Sequence, residues 1–498
     1  MSVDRLDRLS LDTLPAAVAR PGYQPCRHEI GIVHLGLGAF HKAHQAVYTD
    51  KVLAANGGDW TIAGVSLRSP RARDELLPQD GLYTLGVSEG TSQSLRVIGA
   101  IRDVLVAPED PLAVIELLAR ESIHIVTLTV TEKGYCLDPA SGKLEMQHPD
   151  IRHDLEFPDA PRSAIGFLCA AIQQRAKTSA PFTIISCDNL AGNGEKLEQA
   201  VRAMLQPADP DVLAWMETGV RFPSTMVDRI VPAMTADARE DTARMLGLRD
   251  HACVRTEPFS QWVIEDDFAG PRPAWEDAGA TIVADVAPYE AMKLRLLNGP
   301  HSAIAYLGCL GGHTFVHEAM QDATFAAFIQ RLMEREIAPE VVSPASFDLP
   351  GYTASLRRRF ANSALRHRTA QIAMDGSQKI PQRLLPVIRQ RLAKGLPIAC
   401  SATVLAAWMR YATGRDLAGK PLAVDDPMSG QLADIVAAAP DGEALVRAML
   451  SVEVVFGSDL GHSAALVAAV AAAMRHLECG GVGAAMAACL GDEEEKRT

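Results

Sequence analysis

A chain of 498 residues is too long for one hydrophobic core, so at least two domains are expected. Hydrophobic residues make up 48% and charged residues 22%, the balance of an ordinary globular protein, which excludes extended disorder away from the ends. The net charge of −13 disfavours nucleic acid, which draws on clustered Lys and Arg, but leaves open a small anionic substrate that needs only a few local cations.

After a proline-punctuated arm through Pro21 and Pro25, a first strand is read at Gly31 to Leu35, then a glycine turn and a helix from Lys42 to Leu53. Strand, glycines and helix in that order begin a βαβ unit. Trp60 to Ser66 reads as a second strand, and Ile123 to Val130 and Phe182 to Ser186 as later ones, each set off by helix-compatible sequence. This alternation predicts an α/β, Rossmann-like domain with a mostly parallel sheet. After about Val286, Ala, Leu, Arg and Met at helical spacing dominate, so the second half is expected to be mainly α-helical. With the boundary near Pro288, residues 1–287 form a dinucleotide-binding domain and 288–498 a mainly helical substrate and catalytic domain.

The apolar run Ala464 to Met474 is shorter than the roughly 20 residues that cross a bilayer, and reads as a buried helix. The start, Met1 to Leu9, lacks the basic and apolar stretches of a signal peptide. Nine scattered cysteines show neither a CxxC pair nor a Cys/His cluster at zinc-finger spacing. A reducing, cytoplasmic setting is therefore expected, with no membrane, disulfide framework or metal. The charged tail Asp492 to Arg497 reads as a solvated end.

The turn Gly36-Leu37-Gly38-Ala39-Phe40-His41 stands where a dinucleotide-binding strand needs glycines. The first permits a tight turn, and the second lets the backbone approach a pyrophosphate at the helix N-terminus. His41 replaces the third glycine. The second strand ends in Val65-Ser66-Leu67-Arg68, without the usual carboxylate for the ribose hydroxyls. Arg68 suits a 2′-phosphate, so NAD and NADP both remain open at this point.

Lys293-Leu294-Arg295-Leu296-Leu297-Asn298-Gly299-Pro300-His301 concentrates a proton carrier, an amide and an imidazole. At roughly 100° per residue, Glu290, His301 and Asn298 fall near 60°, 80° and 140° of Lys293, within half of a helix circumference. A solvated polar face gives the same pattern. Pro300 inside a helix either kinks it near Gly299 or starts a new one with the proline in its first turn.

Four blocks together resemble the long-chain mannitol dehydrogenase family of polyol and uronate oxidoreductases: Gly36 to Gln45; Cys187-Asp188-Asn189 with Asn193-Gly194; Phe222-Pro223-Ser224-Thr225-Met226-Val227-Asp228-Arg229-Ile230-Val231-Pro232; and the Lys293/Asn298/His301 segment. Thr129 to Cys136, Gln261 to Asp266, and Arg366-His367-Arg368-Thr369 to Gln378-Lys379 are similar to its fructuronate-reducing branch. Gln371 stands where mannitol-oxidising members carry an arginine, and Pro300 where the family pattern has a small residue.

The resemblance implies an NAD-dependent, metal-independent dehydrogenase of a secondary alcohol, with a sugar acid or polyol as substrate and no nucleic-acid partner. Lys293 would be the acid/base, and Asn298 and Asn189 would stabilise alkoxide-like charge. His301 would orient a substrate hydroxyl and Glu290 relay protons. Arg368 and Lys379 are candidates for a substrate carboxylate. Gly36, Gly38, Ala39, Phe40, His41, Arg68, Glu132 and Lys133 would hold the coenzyme, with Lys42 a further phosphate contact. Asp228 and Arg229 are expected to pair with each other or to brace the interdomain surface. A free lysine titrates near 10.4, so Lys293 needs burial or a nearby cation to act as a base at neutral pH. The implied reaction interconverts D-fructuronate and D-mannonate. A mannitol 2-dehydrogenase is the nearest alternative, and a nucleotide sensor without turnover a remote one, against which the intact Lys293/Asn298/His301 set speaks.

Overall fold

The computed structural model describes residues 5–138, 141–206, 210–344, 347–439 and 442–491, and divides into two compact units, Met1–Ala287 and Pro288–Thr498. In the first, the strands are β1 (Ile30–Leu35), β2 (Thr61–Ser66), β3 (Tyr83–Glu89), β4 (Ser92–Ile98), β5 (Ile101–Val106), β6 (Ile125–Leu128), β7 (Phe182–Ser186), β8 (Val220–Arg221), β9 (Thr225–Asp228), β10 (Val254–Thr256), β11 (Gln261–Glu265) and β12 (Thr281–Val283).

Six of them form one sheet in the order β5-β2-β1-β6-β7-β8, every neighbouring pair parallel. Counted within this sheet, the order is that of a doubly wound dinucleotide-binding fold, which reverses between β1 and β6 and opens a crevice at the carboxyl ends of those strands. Strand residues alternate between two cores. Val33, Leu35, Ala63, Val126 and Ile184 pack on one face, and Ile32, Ile62, Ile125 and Ile185 on the other. A sheet covered on both faces carries apolar residues at nearly every position, which is why its central strands stand out in the sequence.

Two features depart from the expected βαβ alternation. The antiparallel hairpin β3-β4 is inserted before β5 and joined by β10, and β12-β11-β9 form a further small sheet. The helix expected over Lys42 to Leu53 is two helices, Ala39–Ala43 and Gln45–Asn56, separated at His44 (φ −127°, ψ −91°). The His44 ring bonds to the Gln261 carbonyl at 2.9 Å and packs on Phe40, Tyr48 and Trp262, so tertiary contacts override local helix preference there.

The described residues of the second unit form helices, with Ala399–Ala412 almost wholly buried at their centre. The Ala-rich run continues past Met474 as one helical stretch, Ala464–Gly491, interrupted at Gly481 (φ 76°). By length and composition it could cross a membrane, yet it packs on Ala399–Ala412 and Gly442–Leu450 as a core helix does. The nine cysteines are free thiols.

Candidate active site

Gly36 has φ +90°, and a Cβ there would run into the Thr129 carbonyl oxygen, so the turn out of β1 requires glycine. At Gly38 an added Cβ meets nothing nearer than the Gly36 oxygen at 3.8 Å. The surface over Gly38 and Ala39 is exposed and open to a pyrophosphate, so the residues present fit a dinucleotide. Phe40 is half-buried beside them. Arg68 is exposed just past β2, and Glu132 and Lys133 are exposed on the 3-10 turn Glu132–Tyr135 beyond β6, at the reversal point of the sheet.

Two expected contacts need correction. His41 does not line the turn: its ring is fully buried, stacked on His34 with centroids 3.5 Å apart, and burial holds its pKa well below the ordinary range. It supports the turn from beneath. Lys42 is also buried, donating to the Ala252 carbonyl at 2.8 Å, and is no phosphate ligand. Arg229 donates to the carbonyls of Ala43 and Glu257 at 2.5 and 3.0 Å, both within the first unit.

The loops after β6 and β7 are tied together by Asp188. Its carboxylate accepts from the backbone N–H groups of Val130 (3.0 Å) and Thr131 (2.8 Å) and from the Tyr135 hydroxyl (2.8 Å). Burial raises its pKa, and these three donors oppose the shift. Thr131 sits at φ 67°, ψ 164°, a conformation a β-branched residue adopts only when its surroundings enforce it. Asn189, next to Asp188, is exposed at the end of β7. Asn193 steadies that loop: its amide donates to the carbonyls of Asp188 and Thr225 and accepts from Thr225 N–H at 2.9 Å. Gly194 follows because a Cβ there would strike the Phe222 carbonyl. Asn193, Gly194, Phe222 and Thr225 thus hold the start of the Asn189 loop together.

In the second unit, Lys293 ends the helix Ala287–Lys293, and Leu294–Asn298 form a π turn in which Gly299 N–H bonds to the Leu294 carbonyl. A uniform 100° advance therefore does not hold across the segment, because the wider turn brings residues five apart, Lys293 and Asn298, toward one side. Single π turns recur at functional sites. The next helix, Gly299–Leu310, has Pro300 in its first turn, where the missing N–H is one that a helix start leaves unpaired anyway. Pro300 thus starts a helix after the π turn.

Lys293, Asn298 and His301 are 7%, 8% and 7% exposed, which overturns the solvated-face reading of this segment. Asn298 Nδ2 and His301 Nε2 are buried with no hydrogen-bond partner among the described residues, which leaves both able to bond to a ligand. The His301 ring lies 4.6 Å from Phe360 and 5.5 Å from His367. Burial first, then the fields of His367, Arg383, Arg359 and Lys293, depress its pKa well below the ordinary value, so His301 is neutral at physiological pH. His367 is lowered to about 4 by burial and by Lys379. Arg383 donates to Ser302 Oγ at 3.1 Å and braces the start of that helix.

Glu290 is half-buried, three residues before Lys293. Lys379 is half-buried, with its Nζ donating to the Met374 and Ile372 carbonyls at 2.6 and 3.3 Å. Arg368 is exposed over the Phe315 ring, whereas its neighbour His367 turns toward His301. His367, Arg359 and Arg383 are thus the groups around His301 that spacing did not single out. Cys136, His148 and Asp150 are brought together in the first unit.

Residues 30–277 match the model of the mannitol dehydrogenase Rossmann domain, and residues 285–478 that of the mannitol dehydrogenase C-terminal domain. The chain is 44% identical to D-mannonate oxidoreductase of Escherichia coli over 92% of its own length and 96% of that protein's. It is 39% identical to mannitol dehydrogenase 2 of Saccharomyces cerevisiae, over 93% of both chains. Among solved structures, Pseudomonas fluorescens mannitol 2-dehydrogenase, in a ternary complex with NAD and D-mannitol, superposes with a TM-score of 0.88 at 38% identity, over 98% of this chain and 99% of that one. With both family domains matched in order and relatives of this identity aligned nearly end to end, the chain belongs to the mannitol dehydrogenase family and is an NAD-dependent oxidoreductase acting on a secondary alcohol.

Proposed function

We propose that this enzyme interconverts D-fructuronate and D-mannonate in the cytoplasm, with Lys293 as the acid/base. The observation that carries the reading is the buried Lys293/Asn298/His301 set, whose amide and imidazole have polar atoms without partners among the described residues, set in the field of Arg359 and Arg383. A positive field suits an acid substrate better than a neutral polyol. The 44% identity to a D-mannonate oxidoreductase and the glutamine at position 371 support the same choice.

Bound NAD would supply the hydride acceptor for oxidation and, reduced, the hydride donor for reduction. In oxidation, Lys293 Nζ takes the hydroxyl proton as the C–H hydride departs, and in reduction its ammonium returns that proton to the nascent alkoxide. Asn298 Nδ2 and the Asn189 amide donate to the oxygen as charge develops. Neutral His301 orients a neighbouring hydroxyl, and Glu290 passes the proton between Lys293 and solvent. Lys379 offers the substrate carboxylate a cation, a role for which exposed Arg368 is less suited. Gly36, Gly38, Ala39 and Phe40 shape the coenzyme turn, and Arg68, Glu132 and Lys133 flank it.

Initial rates with D-mannonate, D-fructuronate, D-mannitol and D-fructose, each with NAD(H) and NADP(H), test the assignment. We expect kcat/KM for the mannonate pair with NAD(H) to exceed that for the mannitol pair at least a hundredfold. Preference for mannitol would replace the uronate reading with the polyol one.

A further inference from the structure

Cys136 ends the 3-10 turn Glu132–Tyr135 in a left-handed conformation (φ 52°), with its thiol buried. The chain then doubles back. Asp138 N–H bonds to the Lys143 carbonyl at 2.8 Å, Glu145 N–H to the Cys136 carbonyl at 2.9 Å, and His148 N–H to the Glu145 carbonyl at 2.9 Å. His148 caps the helix Pro149–Glu156, and Asp150 lies in its first turn. This return places a sulfur, an imidazole nitrogen and a carboxylate oxygen within 4.8 Å of one another. His148 and Asp150 are half-exposed, which leaves a route for an ion to enter.

We infer that Cys136, His148 and Asp150 form a site for a divalent transition metal, Zn²⁺ by donor chemistry, separate from the lysine-based reaction. A thiolate, an imidazole and a carboxylate suit Zn²⁺ at about 2.3, 2.0–2.1 and 2.0–2.2 Å, with a fourth position left to water. Rotation of the half-exposed His148 and Asp150 side chains closes the remaining distance, and gives up the long bond of 3.2 Å from Asp150 N–H to His148 Nδ1. Burial, then Asp150, Asp154 and Glu145, push the Cys136 thiol up to about 11. The carboxylates that oppose a bare thiolate also attract a dication, and binding releases the thiol proton to solvent. An ion here ties the start of helix Pro149–Glu156 to the turn that carries Glu132 and Lys133 and so braces that turn.

The full-length enzyme, stripped with a chelator, is titrated with Co²⁺ alone and then Zn²⁺. The expected result is a thiolate-to-cobalt charge-transfer absorption that saturates near one equivalent, is abolished by Zn²⁺, and is absent in Cys136→Ser. His148→Ala and Asp150→Asn alter half-exposed residues and keep the test available if Cys136→Ser does not fold; each is expected to weaken Co²⁺ binding at least tenfold and to lose the Zn²⁺-dependent rise in melting temperature. Absence of the band in the wild type, its persistence in Cys136→Ser, or unchanged affinity in both His148→Ala and Asp150→Asn overturns the assignment.

Discussion

Asp188→Asn probes how the coenzyme loop is held. The wild-type carboxylate accepts three bonds, Oδ1 from Thr131 N–H and Oδ2 from Val130 N–H and Tyr135 O–H. An asparagine of the same shape turns its NH₂ toward one of these two sides, so at least one backbone N–H faces a donor and loses its acceptor. A buried group stranded in this way costs about 1–3 kcal/mol, which lowers the melting temperature by about 2–10 °C in a domain of this size. The strained Thr131 backbone, itself worth about 1–3 kcal/mol, relaxes once an anchor is lost. We expect the Kd for NADH, read by fluorescence titration, to rise about 10- to 100-fold at about 1.4 kcal/mol per decade. Turnover falls with it, because Asn189 is the next residue. A Kd within twofold of wild type and a melting temperature within 1 °C would refute this account of the loop.

The two glycines of the turn should separate stability from binding. Gly36→Ala places a Cβ against the Thr129 carbonyl at φ +90° and should destabilise the fold, whereas Gly38→Ala should keep the melting temperature and weaken NADH binding at least tenfold; equal melting temperatures would contradict the reasoning. Asn193→Ala should reduce kcat more than NADH affinity, since it loosens the Asn189 loop, and an unchanged kcat would show that Asn193 has no positioning role. Stability should also fall in acid. His34, buried between Thr127 and Thr129, is lowered to about 3, so the unfolded chain binds its proton more readily and stability declines as pH drops below about 6.5, levelling off near the folded value, a loss on the order of a few kcal/mol. Urea melts from pH 7.5 to 4 should show this slope, to which the depressed His41, His301 and His367 also contribute, and a shallower one in His34→Gln; identical slopes would count against it.

What could be read in advance depended on locality. β7 was legible to the residue because Phe182 to Ser186 is a compact apolar run buried on both faces. The glycine turn was legible because its steric demand lies within a few residues. The break at His44 was not, since the carbonyl that its ring bonds belongs to Gln261, 217 positions away. β4 does not stand out in the sequence, because its burial is only partial. In the catalytic segment, residue types pointed to the right stretch, but the π turn is a change of hydrogen-bond register that composition does not encode, and Pro300 was its only trace. Charge alone favours Arg368 over His367 in the sequence. The bridge between Phe315 and Arg368 turns adjacent side chains to opposite sides, which sends the arginine out and the histidine in.

The central claim is that Lys293 carries the proton. Single-turnover and steady-state rates of Lys293→Ala, measured beside NADH binding, address it most directly. We expect turnover to fall at least a thousandfold with the Kd for NADH within about threefold of wild type, and added small primary amines to restore part of the rate. Near-normal turnover in Lys293→Ala would place the acid/base on another residue and contradict the mechanism.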